Sequence, residues 1–465
     1  MSRENSLIKN TFVLSLGTFL PKAFSVITLP ILTACLTKTE YGIYDLLHTM
    51  VSLLLPTATL QIQTAAFRYL IIFRDNRERK TSIITNIFAF SASVSFITLG
   101  VCYLLFGNIA RGERVLILLY FLADIFRQAS LQIARGLGKN EIYSAAAIIS
   151  SFLNVALIVI GVFFCKGGLT AVLLALLVES LFSWLFVTYR AGIYKFIDRS
   201  ALCLEEIKVL IQYSWPMIPN SMSLWVMNLS DRLVITSFLG IDANAVYAVA
   251  TRIPQILSLA QSAFTMAWQE NASISAGETD VREYYSRMFS VYYDFMVGFC
   301  AVLIACTPYL FSLLVKGGYD DAYVQMPILF LGVFFAGISS FFGGIYVAYT
   351  KTKSVGITTV LAACINLLMD LFLVRKIGIF AGSVSTVAGY LFLVIFRMTD
   401  VRKLVHIRYD FGRIIFLMLL LIVMCALCFA RITVFYWINL VIGCTAMAVL
   451  NGKRIVCMIR KLMDF

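Results

Sequence analysis

Five cationic side chains, Lys22, Arg68, Arg127, Arg232 and Arg252, lie within otherwise apolar stretches of the sequence. A guanidinium or ammonium at bilayer depth costs at least about 2.5 kcal/mol, so it persists mainly where it faces a watery cavity, a partner charge or an anion. Arg offers a planar fork of N–H donors that suits phosphate oxygens, and Lys offers a point charge. The chemistry within reach of these residues is therefore the binding of an anion away from bulk water.

The five are not equivalent. Lys22 follows Pro21, lies well along the first apolar stretch and has no acidic residue within a turn, which makes it the strongest anion-binding candidate. Arg68 is near the end of its stretch, where a long side chain can snorkel to the headgroups and do nothing else. Arg127 follows Asp124 by three residues on one helical face, so the two can simply neutralise each other. Asp231 and Arg232 are adjacent, about 100° apart around a helix, so Arg232 is free to face an anion while Asp231 bonds elsewhere. Arg252 has no acidic neighbour at helical spacing.

Acidic residues in the same stretches raise ion coupling. Asp124, Glu179 and Asp370 are the candidates, with Asp45 and His48 sharing a face nearby. A carboxylate at depth can bind a proton or a sodium ion, although it more often satisfies a neighbouring Arg or Asn. Cys425 and Cys428 have CxxC spacing in an all-apolar helix without His nearby, and the cysteines read as packing residues rather than metal ligands. No GxxxxGK[ST] loop occurs, so neither nucleotide hydrolysis nor a cofactor is expected.

The elements that must position these residues are membrane helices. Hydrophobic residues make up 60% of the chain, charged residues 14%, and the mean hydropathy is +0.88, far from a soluble domain. A span needs about 20 apolar residues. On that measure the chain is an all-α polytopic membrane protein of about fourteen spans, running over 10–36, 42–73, 83–106, 115–135, 142–165, 168–189, 215–239, 245–269, 290–315, 324–349, 354–374, 379–397, 412–430 and 433–450. The gap at Arg431 is short, and a re-entrant last pair would leave about twelve. Pro216, Pro219 and Pro254 each free backbone carbonyls, as in helices that bend, with a plain kink as the default reading.

Lys and Arg crowd the loops on the side of both termini, as in Arg74, Arg77, Arg79 and Lys80, or Arg397, Arg402, Lys403, Arg408 and Arg413. The opposite side holds only Lys38, Arg111, Arg114, Lys166, Lys316, Arg375, Lys376 and Arg431. The positive-inside rule then places both termini in the cytoplasm. Basic loops beside anionic lipid account for most of the net charge of +13, with no call for nucleic acid. No cleavable signal is expected, because the stretch after Lys9 runs well beyond a signal-peptide core.

An internal repeat shows at a constant offset. Lys139 to Asn154, KNEIYSAAAIISSFLN, aligns with Lys351 to Asn366, KTKSVGITTVLAACIN, and Gly168 and Ala171 match Gly378 and Ala381 after a two-residue shortening. Leu36 and Tyr44 echo in Leu239 and Tyr247. A displacement of six spans keeps the same direction through the bilayer, so the repeat is parallel. Two six-helix lobes follow, an N-lobe over 1–190 and a C-lobe over 215–398, joined by a cytoplasmic linker at 191–214. Two appended spans occupy 399–450 and a basic cytoplasmic tail 451–465.

The first span and its exit, NTFVLSLGTFLPKAFSVITLPILTACLTKTEYGIYDLL, resemble the opening of the polysaccharide-transport family of repeat-unit flippases. So do YSWPMIPNSMSLWVMNLSDRLVITSFLGIDANAVYAVATRI and the AFTMAW that follows. The family belongs to the multidrug, oligosaccharidyl-lipid and polysaccharide exporter superfamily. The resemblance implies two six-helix lobes around a central cavity, extra helices after them, and alternating access. It implies a cargo of polyprenyl-diphosphate-linked oligosaccharide, moved from the cytoplasmic to the outer leaflet of the bacterial cytoplasmic membrane for O-antigen, capsule or exopolysaccharide assembly. No reaction is catalysed on this reading, and the partners are membrane lipid, the glycan substrate and a coupling ion, proton or sodium. A cation-coupled multidrug exporter of the same superfamily is the nearest alternative, disfavoured by interior cations. A membrane glycosyltransferase or polymerase is weaker still, because the outer loops are short.

Overall fold

The computed structural model describes the backbone of residues 3–105 and 110–463, and the side chains there except those of 3–16, 18, 101, 102, 105, 352, 455 and 457–463. Among the described residues every regular element is a helix. The chain divides into two compact units, 1–225 and 226–465.

The first unit holds α1 (Arg3–Cys35), α2 (Lys38–Ala58), α3 (Ile62–Ile72), α4 (Arg77–Leu105), α5 (Arg111–Gly136), α6 (Asn140–Ile158), α7 (Gly168–Arg190), α8 (Leu204–Ser214) and the start of α9 (Ile218–Leu239). Helix α5 is its hub, packed on α3, α4 and α7, while α6 packs on α1 and α7. Lipid tails are as apolar as leucine, so close contact and interhelical hydrogen bonds hold such helices together. Gly136 shows the closeness: a Cβ there would come within 2.8 Å of Leu70 Cβ on α3. One core cluster joins Leu70, Ile84, Ile87, Ile133, Val187 and Leu210; a second joins Leu47, Ile117, Phe121 and Leu173.

Residues 191–214, expected as a linker, pack onto this unit. Ala191, Ile193 and Leu210 enter its core. The side chain of Asn86 donates to Ala201 O and accepts from Cys203 N, each at 2.9 Å, and Arg79 pairs with Glu206 at 2.9 Å. The stretch expected as one span over 42–73 is broken, with α2 and α3 meeting at 56°. Leu60 and Gln61 adopt φ of +47° and +54° at the break, four residues after Pro56 has removed a helical N–H. Ser214 Oγ donates to Leu60 O at 2.7 Å, and Gln61 Nε2 to Ser221 Oγ at 2.5 Å, so part of the freed polarity is satisfied by protein.

The second unit continues with α10 (Ile241–Arg252), α11 (Gln255–Ser275), α12 (Val281–Leu314), α13 (Asp320–Ala348), α14 (Thr352–Ile377), α15 (Phe380–Asp400), α16 (Phe411–Phe429) and α17 (Thr433–Met463). Helix α13 is the hub, packed on α10, α11, α12 and α15. Trp268 is buried there, its ring stacked on Phe341 at 4.4 Å and its N–H donating to Phe341 O at 2.8 Å. A Cβ at Gly344 would fall 2.6 Å from that ring, so α11 approaches α13 through a glycine. The appended pair α16–α17 is held by Asp294 of α12, which is 2% exposed and takes Arg413 at 2.9 Å and Arg454 at 3.3 Å.

The repeat is visible in the backbone. Before α6, Leu137, Gly138 and Lys139 donate to the carbonyls of Ile133, Arg135 and Ala134; before α14, Tyr349, Thr350 and Lys351 donate to those of Ile345, Val347 and Tyr346. Both turns carry a positive φ in the middle, +75° at Gly138 and +56° at Thr350. Helices α5, α6 and α7 pack among themselves in the pairs that α13, α14 and α15 also form.

Among the described residues ten helices are long and apolar enough to cross a membrane, or eleven if the bent α2–α3 pair is one span. The expected spans at 10–36, 215–239 and 245–269 are helical but fall outside that test. The reasons are local: α9 carries Asn220, Asn228, Asp231 and Arg232, and Pro254 divides α10 from α11. Within α1, residues Phe19–Cys35 form a shorter apolar helix.

Candidate functional site

In the first unit the five-cation pattern resolves into different environments. Lys22 is exposed on α1, and its carbonyl accepts from Ser25 Oγ at 2.7 Å. Among the described residues its ammonium has no ion pair. Arg68 is exposed in the second half of α3 with its guanidinium 5.3 Å from the ring centre of Tyr213, the cation–π contact of an anchored surface arginine.

Arg127 is neutralised. It forms a close ion pair with Asp124 one turn earlier on α5, and Asp124, 1% exposed, also accepts from Ser180 Oγ at 3.4 Å. The field of Glu179 on α7 reaches the same guanidinium, and Glu179 itself accepts from the side-chain amide of Asn154 on α6. Two carboxylates around one guanidinium leave no surplus positive charge, so the arrangement joins α5, α6 and α7 rather than offering an anion site. The i,i+3 spacing of Asp124 and Arg127 anticipated the pair; the part of Glu179 had no local signal.

In the second unit Arg232 is 3% exposed, donating to Thr251 Oγ1 at 3.1 Å and to Asn228 O at 3.2 Å. Arg252 is half-buried at the last residue of α10. The carboxylates beside them form the most unusual group in this unit. Asp231 is 2% exposed, and its Oδ2 accepts from Tyr247 Oη at 2.6 Å and Thr386 Oγ1 at 2.9 Å. Asp370 is fully buried one helical turn after Asn366 on α14, and lies within the electrostatic reach of Asp231.

What these residues lack is as informative. Among the described residues Asp231 Oδ1, both carboxylate oxygens of Asp370 and Asn366 Nδ2 are buried with no hydrogen-bond partner. A buried acceptor without a partner costs about 1–3 kcal/mol, more if charged, so three such oxygens in one place call for a proton or a cation. Oxygen donors of this kind suit a hard cation, with Thr386 and Asn366 as neutral neighbours. Two glycines of α15 permit the approach: a Cβ at Gly382 would meet the Tyr247 ring at 3.0 Å and Asp231 Cβ at 3.1 Å, and one at Gly389 would meet Asn366 Cβ at 3.0 Å. Among the described residues no three His, Cys, Asp or Glu side chains gather as a metal cluster.

One buried cation escaped the sequence reading. Arg397, counted there with the loop cations, is 5% exposed at the end of α15 and donates to Ser339 O, Thr358 Oγ1, Thr359 Oγ1 and Val355 O. Its acceptors are all neutral. Gly343 makes room for it, since a Cβ there would lie 3.3 Å from Nη1.

The fold is shared with solved transporters. A lipid II flippase, MurJ, in an inward closed conformation is 15% identical with a TM-score of 0.72, over 96% of this chain and 100% of that one. An inward-facing multidrug resistance transporter of the MATE family and MOP superfamily is 14% identical with a TM-score of 0.68, over 85% and 98%. A MOP superfamily transporter from Pyrococcus furiosus, described as having a binding pocket of reverse polarity, is 13% identical with a TM-score of 0.57, over 85% and 95%. No curated protein sequence matches the chain. Residues 7–269, more than half the sequence, match the family model described as polysaccharide biosynthesis protein. The chain is a polytopic membrane protein with the fold of MOP superfamily transporters, and it belongs to the polysaccharide biosynthesis protein family.

Proposed function

We propose that the protein translocates polyprenyl-diphosphate-linked oligosaccharide repeat units from the inner to the outer leaflet of the cytoplasmic membrane, by alternating access, with both termini in the cytoplasm. The family match over 7–269 carries this reading, and the fold shared with a lipid II flippase supports it. A diphosphate cannot cross hydrocarbon without donors that replace its water. Lys22 and Arg252 are the cations assigned to that work on this reading; Lys22 is exposed on α1, whereas Arg127 is paired with Asp124 and Arg68 lies over the Tyr213 ring. Arg232 contributes from a buried position beside Thr251.

Asp370 is the coupling residue on this reading, with Asp231, Asn366 and Thr386 completing the place where a proton or sodium ion sits. Its two unpartnered oxygens support that role; Asp124 and Glu179 are already engaged by Arg127, Ser180 and Asn154. The cargo identifies the glycan end of polysaccharide assembly, O-antigen, capsule or exopolysaccharide, and the protein makes or breaks no covalent bond. A cation-coupled multidrug exporter shares the fold and is the second reading.

Reconstituted vesicles separate the two. Purified protein should expose a polyprenyl-diphosphate oligosaccharide to a lectin on the opposite face, and Lys22→Ala or Arg252→Ala should slow that step with insertion intact. Transport of a cationic dye without transport of the glycolipid would overturn the proposal.

A further inference from the structure

A recess of about 200 Å³ opens at one end of the second unit, where α12 finishes, α13 begins and the turn between α16 and α17 passes. Pro308, Phe311, Asp320, Tyr323, Arg431 and Tyr436 line it. It contains none of the residues assigned above to the cargo or to ion coupling. Arg431 and Asp320 carry opposite charges in one small space, and no ion pair between them is found among the described residues. The guanidinium donates from Nη2 to the main-chain carbonyl of Asp320 at 2.8 Å and lies 5.3 Å from the ring centre of Tyr323, while the Asp320 side chain is exposed. Arg431 is also held at φ +52°, a conformation that costs a non-glycine residue about 1–3 kcal/mol and persists where surrounding structure fixes it.

The depth of the recess is marked by its neighbours. Tyr309 on α12 and Trp437 on α17 are exposed and meet edge to face at 6.4 Å, as aromatic residues do at the headgroup level of a bilayer. The lining combines the apolar and aromatic Pro308, Phe311, Tyr323 and Tyr436 with the charged Asp320 and Arg431. An anionic headgroup would meet the Asp320 carboxylate, and a purely cationic one the Arg431 guanidinium. A ligand with both charges a few bonds apart satisfies both.

We propose that this recess binds a zwitterionic phospholipid with a primary ammonium, its phosphate on Arg431 and its ammonium on Asp320. The N–H groups of the ammonium donate to the carboxylate, and four of the five guanidinium N–H donors remain for phosphate oxygens after the bond to the carbonyl is made. Tyr436 and Phe311 cover the glycerol end. With the topology expected from Lys and Arg, the site faces the outer leaflet, which makes it a contact with bulk lipid rather than with the transported cargo.

Native mass spectrometry of the purified full chain, delipidated and titrated with phosphatidylethanolamine, phosphatidylglycerol or a neutral diglucosyl lipid, tests this. Arg431→Asn keeps a residue tolerant of positive φ, so the fold should hold while the guanidinium is lost; Asp320→Asn removes the other charge, and Asp321→Asn, beside the recess, is the control. The expected result is preferential retention of phosphatidylethanolamine that falls about three- to tenfold in each of Arg431→Asn and Asp320→Asn and is unchanged in Asp321→Asn. Wild-type retention in both variants would overturn the proposal. So would phosphatidylglycerol binding that depends on Arg431 alone, or tighter binding of the glucosyl lipid lost in the same two variants.

Discussion

Tyr247 donates its hydroxyl to Oδ2 of Asp231 over 2.6 Å, and among the described residues no donor reaches Oδ1 of the same carboxylate. Thr386 converges on Oδ2 as well, so the carboxylate is fixed on one side and open on the other. Fixing one oxygen while leaving its twin bare keeps an acceptor in a set position, which is what a site for a small cation or a shared proton requires. Tyr247→Phe should therefore lower stability by about 1–2 kcal/mol by removing one of two donors. A thermal melt of the purified protein checks it; an unchanged midpoint would mean that the hydrogen bond contributes nothing.

Asp370 should behave in the opposite way. Among the described residues its two oxygens have no partner, so Asp370→Asn removes a buried group that is a burden in the ion-free state, and the ion-free protein should melt unchanged or about 1 kcal/mol more stable. The cost should appear in function instead. Transport by the variant should lose its dependence on sodium or on a proton gradient, and retention of that dependence would remove Asp370 from the coupling role.

Arg397 offers a test of a buried charge satisfied by neutral groups alone. Arg397→Met strips donors from Ser339 O, Val355 O and two threonine hydroxyls, and should cost about 3 kcal/mol or more. Lysine cannot reproduce four separated hydrogen bonds from one planar group, so Arg397→Lys should recover only part of the loss. Denaturation monitored by detergent-exclusion chromatography would rank the three proteins, and full recovery with lysine would show that charge, not geometry, matters there.

The paired turns before α6 and α14 predict substitutions of opposite sign. Thr350 sits at φ +56°, where a residue with a Cβ is strained, and Thr350→Gly should stabilise by up to about 1 kcal/mol. Gly138→Thr should destabilise by more than that amount, because the turn needs positive φ and a Cβ there would also stand 2.9 Å from Arg74 Nη2. Melting midpoints that move in the same direction would mean that the two turns are not under the same constraint.

Glu40 closes the start of α2 twice. One oxygen accepts from Thr37 N at 2.9 Å in a capping box, and the other from Leu169 N at 3.1 Å across to α7. Its pairing with main-chain donors makes Glu40→Ala worth about 1–2 kcal/mol of stability, more than a cap alone. A double substitution with Thr37→Ala should cost less than the sum of the two single ones, since both break the same box.

How much of this was legible in the sequence depended on range. Asp124 and Arg127 announced their pairing through a spacing of three residues, and Lys139 with Asn154 announced the repeat through Lys351 and Asn366. Both signals are local or periodic, and α-helix geometry preserves them. Asp231 and Thr386 are 155 residues apart, and only packing of α9 against α15 brings them together. Nothing in either segment foretells that contact. Arg397 was misplaced for a different reason: it stands at the end of a span, where a shift of one turn decides between solvent and core. The expected span over 42–73 hid its break because Leu60, Gln61 and Ile62 are an unremarkable run, and positive φ at Leu60 is not a preference its side chain advertises.

That break also bears on when the protein can be completed during synthesis. Helix α3 has 11 residues, a rise of about 16 Å, or about half the hydrocarbon thickness, so it cannot settle across a bilayer by itself. The carbonyl of Leu60 at its edge is bonded by Ser214, 154 residues downstream. At about 5–20 residues per second the partner leaves the ribosome some eight to thirty seconds later, so the early segment must wait in the translocon or its lipid margin, sheltered by other means until α8 arrives.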